Sequence, residues 1–255
     1  MGGFRYLTVA DLIDSPTMLV EVLCPVAAAA GVLAYGVRGR SAKLLSPSIW
    51  KGPSTRKALA LTLDDGPSES TIDVLHLLER FGVRATFFQC GHHVRRLPRV
   101  AMRVAAEGHE LGNHSDSHPS LVFRSPQFIY DQLERAQTLI VDTTGIAPTL
   151  FRAPYGVRWF GLAEAQKRLN LMGVMWTTIA RDWKLPAQSI ADYVTPRVQP
   201  GSILCFHDGR QLLHHPDIAS TLGALEILIP KWLSEGYEVT TVSGLLRAPT
   251  VPSTP

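Results

Sequence analysis

Cysteine is scarce in this chain, with three in 255 residues: Cys24, Cys90 and Cys205. They are odd in number and far apart, and none forms a Cys-x-x-Cys pair, which argues against a disulfide framework. All three sit among apolar neighbours, so inert buried thiols are expected. Cys205 alone stands where it could border a site, two residues before His207. There is no Lys/Arg run long enough for a nucleic-acid surface, and a net charge of +3 suits an ordinary solvated exterior. There is also no internal repeat of the solenoid kind. With 45% hydrophobic residues, the chain can bury the core of one α/β domain, expected over residues 55–247 and monomeric, after an N-terminal extension over 1–50. The last residues, 248–255, carry three prolines and no charge, and are expected to be a disordered tail.

Only one long hydrophobic run is present. From Thr17 to Val37 it reads TMLVEVLCPVAAAAGVLAYGV, with Glu21 as its single charge and Pro25 as its single helix breaker. That length predicts a membrane-spanning helix anchoring the protein. Two other readings compete: a cleavable signal peptide ending near Ala27–Ala30, against which the basic start is thin, and a soluble helix. The basic residues Arg38, Arg40 and Lys43 follow the run, which by the positive-inside rule would hold the main domain in the cytoplasm.

What the rest of the chain has is a series of five polar clusters, each directly after an apolar, strand-like run. They are Asp64-Asp65-Gly66-Pro67, His114-Ser115-Asp116-Ser117-His118, Arg152-Ala153-Pro154-Tyr155, Arg181-Asp182-Trp183 and His207-Asp208. Seven strands are predicted, at 57–63, 83–88, 109–113, 149–151, 171–177, 203–206 and 238–241. Helices are predicted between them at 68–80, 94–107 and 126–144, the last with Ile129, Leu133, Ala136 and Ile140 at helical spacing. Strand-helix alternation of this length implies parallel strands with right-handed crossovers, hence a closed or nearly closed β/α barrel. Barrel enzymes carry their chemistry at strand ends, where all five clusters fall.

Two imidazoles and a carboxylate, as in Asp65, His114 and His118, leave positions open on a divalent metal, the pattern of a catalytic site. Zinc suits this set first, and cobalt or nickel also suit it. The His-x-x-x-His spacing predicts both rings on one side of a helical turn. Adjacent carboxylates at a strand end point to opposite sides, so Asp64 can serve as general base while Asp65 binds metal. His207, after its strand, is the candidate general acid. Each cluster taken alone has an ordinary alternative. Asp64-Asp65 reads as an N-cap or turn pair, the histidines as solvated or capping groups, Arg152–Tyr155 as a surface turn, and His207-Asp208 as a turn with a capping aspartate.

In order and nearly residue by residue, the five clusters resemble the motifs of the polysaccharide deacetylase family, carbohydrate esterase family 4, over about residues 57–246. The resemblance implies a distorted (β/α) barrel of about seven strands and metal-dependent removal of N-acetyl groups from the amino sugars of a glycan. It implies that Arg152 pairs with the base Asp64 and that Asp182 orients His207. It also implies that the Tyr155 backbone N–H helps hold the oxyanion in the Pro154-Tyr155 turn, and that Trp183 walls the acetyl pocket. Three positions depart from the family pattern: Ile179 stands for the first acid of Asp-x-x-Asp-Trp, Cys205 for leucine, and Leu63 for an aromatic. A glycan-acting enzyme would have an extracytoplasmic domain. The charge placement instead favours a deformylase or deacylase of a lipid-linked amino sugar, and a catalytically silent glycan-binding protein is a third reading. His92-His93 and His214-His215 are extra histidines, expected to be solvated.

Overall fold

The computed structural model of the chain describes residues 16–247. The tail expected over 248–255 lies outside the described residues. The centre of the fold is β2 (Ala58–Gly66), all nine of whose residues are buried. One edge of β2 pairs with β8 (Ser202–His207) from Leu59↔Ser202 to Asp64↔His207. Its other edge is shared by β9 (Glu238–Thr240) at Ala58–Ala60 and β3 (Thr86–Gln89) from Thr62 onward. A strand covered on both faces shows no apolar–polar alternation, which is why ALALTL reads as one nearly continuous run, its Thr62 hydroxyl satisfied by the Leu204 carbonyl.

Outward from β3 come β4 (Glu110–Asn113), β5 (Leu150–Phe151), β6 (Met172–Val174) and the end strand β1 (Ser48–Ile49); outward from β8 comes β7 (Thr178–Ile179). Every pairing is parallel. The result is a distorted (β/α) barrel left open between β1 and β7, rather than closed. All seven expected strands are present. The two-residue strands β1 and β7 were not expected, because two residues carry no periodicity.

The helices outside the sheet follow local signals. The helix α5 (Pro126–Thr144) has the predicted bounds: Ser125 caps it by accepting from the Phe128 amide, Pro126 opens it, and Gly145 ends it at φ 72°. The helix predicted over 94–107 is two, α3 (Gly91–Arg96) and α4 (Pro98–Ala106), broken at Leu97 because Pro98 lacks an amide hydrogen and disfavours helical geometry before it. Between β2 and β3 lies α2 (Thr71–Arg80), and α6 (Leu162–Arg168), α7 (Ala187–Val194), α8 (Ala219–Ser234) and α9 (Val242–Leu246) complete the set. The main core lies between β2, β3, β8 and the helices, with Leu59, Phe87, Phe206 and Trp232 fully buried in it.

The N-terminal hydrophobic run forms α1 (Pro16–Arg38). Among the described residues, no helix is long and apolar enough to cross a membrane. The membrane-spanning expectation for 17–37 is therefore not supported; a carboxylate at Glu21 and a proline at Pro25 lie within the helix. The end of α1 is tied to the domain. The Arg158 amide donates to the Val37 carbonyl at 3.0 Å, and the buried Arg158 guanidinium donates to the carbonyls of Gly39 and Ala42 and to Ser48 Oγ. Residues 39–52 thus pack as part of the barrel, upstream of the boundary expected at 55.

Candidate active site

The site is built where β2 ends. The pairing of β2 with β3 slips between Asp64 and Gly66, and Asp65 takes φ 71°, a left-handed value that costs a non-glycine residue about 1 kcal/mol or more. This bulge sends the two carboxylates to different partners. Asp64 Oδ1 accepts from Arg152 Nη1 at 2.6 Å. Arg152 is fully buried, and its remaining donors meet Thr62 Oγ1 and the Val174 and Met175 carbonyls, while its guanidinium lies 4.2 Å from the Phe88 ring centre. A buried guanidinium with no counter-charge would cost several kcal/mol, so Asp64 and Arg152 need each other. The other oxygen of Asp64 accepts from Cys205 Sγ at 3.4 Å. Burial and then the Asp64 charge push the Cys205 thiol well up, which keeps it a donor.

Asp65 faces the histidines. Its Oδ1 lies 3.3 Å from His114 Nε2 and 3.1 Å from His118 Nε2. Its other oxygen accepts from the Gln211 amide at 2.8 Å. His114 Nδ1 is 2.7 Å from the Arg152 carbonyl. A carbonyl only accepts, so Nδ1 carries the proton and Nε2 presents a lone pair toward Asp65. Asp65 Oδ1 is buried with no hydrogen-bond partner among the described residues. A lone pair and an orphaned carboxylate oxygen side by side are the donor set that a divalent cation satisfies, and one ligand atom from each of the three residues lies within 4.8 Å of the others. The expected helical turn is absent here. Residues 114–118 form a loop with Ser115 and His118 at φ 65° and 51°, and these backbone reversals, rather than helical periodicity, bring the rings together.

His207, the register partner of Asp64 on the neighbouring strand, is held by Asp182. His207 Nδ1–H donates to Asp182 Oδ1 at 2.8 Å, the His207 amide donates to Asp182 Oδ2 at 2.8 Å, and Thr221 Oγ1 donates to the same oxygen. Burial lowers the His207 pKa, but the Asp182 charge and hydrogen bond outweigh it, with help from Asp65 and Asp64, and the value is pushed up to about 9. The imidazolium therefore persists at neutral pH. The ion pair contributes stability that is fully present below the ordinary 6.5 and is lost as pH rises through about 9. If His207 donates the proton during turnover, kcat/KM should fall above about pH 9. Asp182→Asn is expected to draw that alkaline limb down toward 6.5, as read from pH–rate profiles. An unmoved limb would remove His207 from the proton-donating role.

These groups line a pocket of about 600 Å³. Tyr155 is on its wall at φ 58°, its ring centre 4.7 Å from that of His118. Trp183 stands edge-on to His207 at 5.2 Å and is half exposed, so it is a pocket wall rather than core. Pro154 is buried beneath Tyr155 in the turn and does not line the pocket. Of the extra histidines, His93 is buried and its Nε2–H donates to the Gln211 carbonyl, bracing the loop that contacts Asp65. His92, His214 and His215 do not line the pocket.

Sequence reasoning missed two contributors, Gln211 and Asp208. Cys205 is buried as expected, and it borders the site, touching the candidate base. Gln211 reaches Asp65 from a loop with no pattern of its own. Asp208, given no role beyond the alternative of a capping aspartate, is buried with its pKa pushed up to about 7 by burial. Thr71 donates to its Oδ2 at 2.5 Å, and this carboxyl occupies the space a side chain at position 66 would need, which explains the glycine after Asp64-Asp65. A carboxylate next to His207 was the available signal.

Compared with known proteins, residues 51–174 match the polysaccharide deacetylase family. The chain is 38% identical to peptidoglycan-N-acetylglucosamine deacetylase PgdA of Listeria monocytogenes, over 75% of this chain and 39% of that protein's length. It is 33% identical to a peptidoglycan-N-acetylglucosamine deacetylase of Bacillus cereus, over 78% of this chain and 92% of that one. Among solved structures it is similar, with a TM-score of 0.72 and 30% identity over 80% of this chain and 72% of the other, to a mutant of BA3943 of Bacillus anthracis, a family 4 pseudoenzyme, with restored enzymatic activity.

Proposed function

The chain belongs to the polysaccharide deacetylase family, and from that footing we propose that it hydrolyses the N-acetyl groups of amino sugars in a glycan, with peptidoglycan strands as the substrate. The observation that carries this reading is the pairing of Asp64, held by Arg152, with His207, held by Asp182, side by side in one pocket that also gathers Asp65, His114 and His118. An amide has a poor electrophile and a poor leaving group, so its hydrolysis needs a base for water, a stabilised oxyanion and an acid for nitrogen.

Asp65, His114 and His118 would hold a divalent cation, zinc in the first instance. Bound there, such an ion supplies a Lewis acid for the carbonyl oxygen and a more acidic water. Asp64 takes the proton from water as its oxygen bonds to the acetyl carbon, and the Tyr155 backbone N–H donates to the oxyanion that results. His207 then passes its proton to the sugar nitrogen as the C–N bond breaks, releasing acetate and a free amine. Trp183 and Trp176 form apolar walls that keep bulk water from the bond.

BA3943 shows that the family includes silent members, but the full set of base, acid and cation ligands here supports turnover. Because wall glycan lies outside the membrane, the same proposal places the barrel on the extracytoplasmic side. Arg40, whose charge argued otherwise, donates to the Thr177 carbonyl of the barrel. The test is release of acetate and of formate from peptidoglycan glycan strands, N-acetylglucosamine oligomers and a lipid-linked amino sugar. Acetate from the first two is expected; formate from the lipid-linked sugar alone would replace this reading with the deformylase one, and no release from any would favour the silent one.

A further inference from the structure

Strand β8 carries Cys205 and His207 two residues apart, so both side chains leave the sheet on the same face, and the parallel register sets Asp64 of β2 directly beside His207. One ligand atom from each of these three residues lies within 4.8 Å of the others. The group shares no residue with Asp65, His114 and His118. Asp64 and His207 line the pocket, and Cys205, fully buried, stands one step further down β8.

Asp64 has Oδ2 to offer, since Oδ1 is engaged with Arg152, and His207 has Nε2, since Nδ1 is engaged with Asp182. Cys205 Sγ stands 3.4 Å from Asp64 Oδ2. A sulfur about 2.3 Å and a carboxylate oxygen about 2.0 Å from one tetrahedral zinc ion are about 3.5 Å apart, so these two ligands already have the spacing of one edge of such a site. Without an ion, the thiol hydrogen fills that edge. Charge agrees with the geometry: the carboxylates of Asp64 and Asp182 and an ionised Cys205 would outnumber the single guanidinium of Arg152, and a dication cancels the excess. A leucine at position 205, the residue expected from the family pattern, would leave only a carboxylate and an imidazole. The third ligand is therefore this chain's own.

We infer that Asp64, Cys205 and His207 form a second, inhibitory site for zinc, separate from the set of Asp65, His114 and His118. Binding makes one bond each to oxygen, sulfur and nitrogen, sends the thiol proton and the His207 Nε2 proton to solvent, and changes no oxidation state. The ion takes up the candidate base and the candidate acid together, so excess zinc stops turnover. It binds after the first ion, because two neighbouring dications repel and because a buried thiol must give up its proton. The sulfur selects zinc, cobalt or cadmium over magnesium and calcium. Coordination at this site is independent of the deacetylase reading; only its effect on acetate release rests on that reading.

The test titrates the chelator-stripped full chain, with its thiols kept reduced, with cobalt(II), a zinc substitute whose bond to a thiolate gives a charge-transfer band in the near ultraviolet. The band is expected to be absent at the first equivalent and to grow with the second. Cys205→Leu and Cys205→Ser should bind the first equivalent alone, which reports that they are folded, and show no band. His207→Gln should weaken the second ion by about tenfold or more. With zinc, acetate release by the wild-type protein should fall about tenfold or more beyond the first equivalent, since base and acid are both ligated. In the two Cys205 variants the ratio of rates at one and at several equivalents should stay near one. No thiolate band at saturating cobalt overturns the inference, as does a band complete at the first equivalent. A band that survives substitution of Cys205 would belong to Cys24 or Cys90 and also overturns it, as does zinc inhibition of equal depth in the variants. A band at the second equivalent without acetate release at any zinc level would count against the deacetylase reading alone and leave the second site to stand.

Discussion

Asp64→Asn is expected to lower kcat by about 10²–10⁴ while the protein keeps its divalent metal. The carboxylate lost is the one aimed away from His114 and His118, beside His207, and the amide that replaces it cannot take a proton from water. Asp65, His114 and His118, whose ligand atoms converge within 4.8 Å, are untouched by the change. Arg152 keeps an acceptor in the asparagine carbonyl but loses its charged partner at 2.6 Å, so some loss of stability is expected as well, short of the 3–5 kcal/mol that follows when a buried ion pair loses one side outright. Asp65→Asn should differ in kind: metal affinity itself falls, and activity falls with it. Metal content by elemental analysis beside kcat for the two variants checks this. Equal loss of metal in both would show that the bulge at the end of β2 does not divide the two carboxylates between two tasks.

Much of this arrangement is legible in the chain, for reasons particular residues show. ALALTL ending in Asp64-Asp65 reads as a buried strand with acids at its mouth, because a strand covered on both faces is apolar along nearly its whole length. Ser125-Pro126 and Gly145 mark both ends of α5, because capping is local chemistry. Pairings such as Arg152 with Asp64 and Asp182 with His207 follow from family likeness rather than from spacing, since the residues of each pair are brought together only by the sheet order. Backbone conformation was not legible. His114 and His118 have helical spacing but meet across a loop of positive φ values, a geometry set by tertiary contacts such as Ser117 to Gln132. Neither was the seam of the barrel, because β1 and β7 are two residues each and their separation depends on how far the sheet curls. Nor was the packing of residues 39–52 onto the barrel, held by the pairing of β1 with β6 and by a buried arginine, Arg158, far away in sequence.

Removal of metal is expected to have an effect at least as large as loss of the base. Asp65 Oδ1 is buried beside two imidazole nitrogens with no hydrogen-bond partner among the described residues, an arrangement that makes chemical sense with a cation in it. Without one, the oxyanion loses its main counter-charge and water its acidity, and a loss of 10³-fold or more follows, roughly 4 kcal/mol of barrel-held transition-state stabilisation. The decisive measurement is acetate release from N-acetylglucosamine-containing glycan by chelator-stripped protein, repeated as zinc is added back. Turnover near background in the stripped protein, rising to a plateau at one equivalent of zinc and absent from His114→Ala under the same titration, is the expected result. Full turnover by the stripped protein, or restoration by zinc that survives the loss of His114, would contradict a hydrolytic centre built on Asp65, His114 and His118.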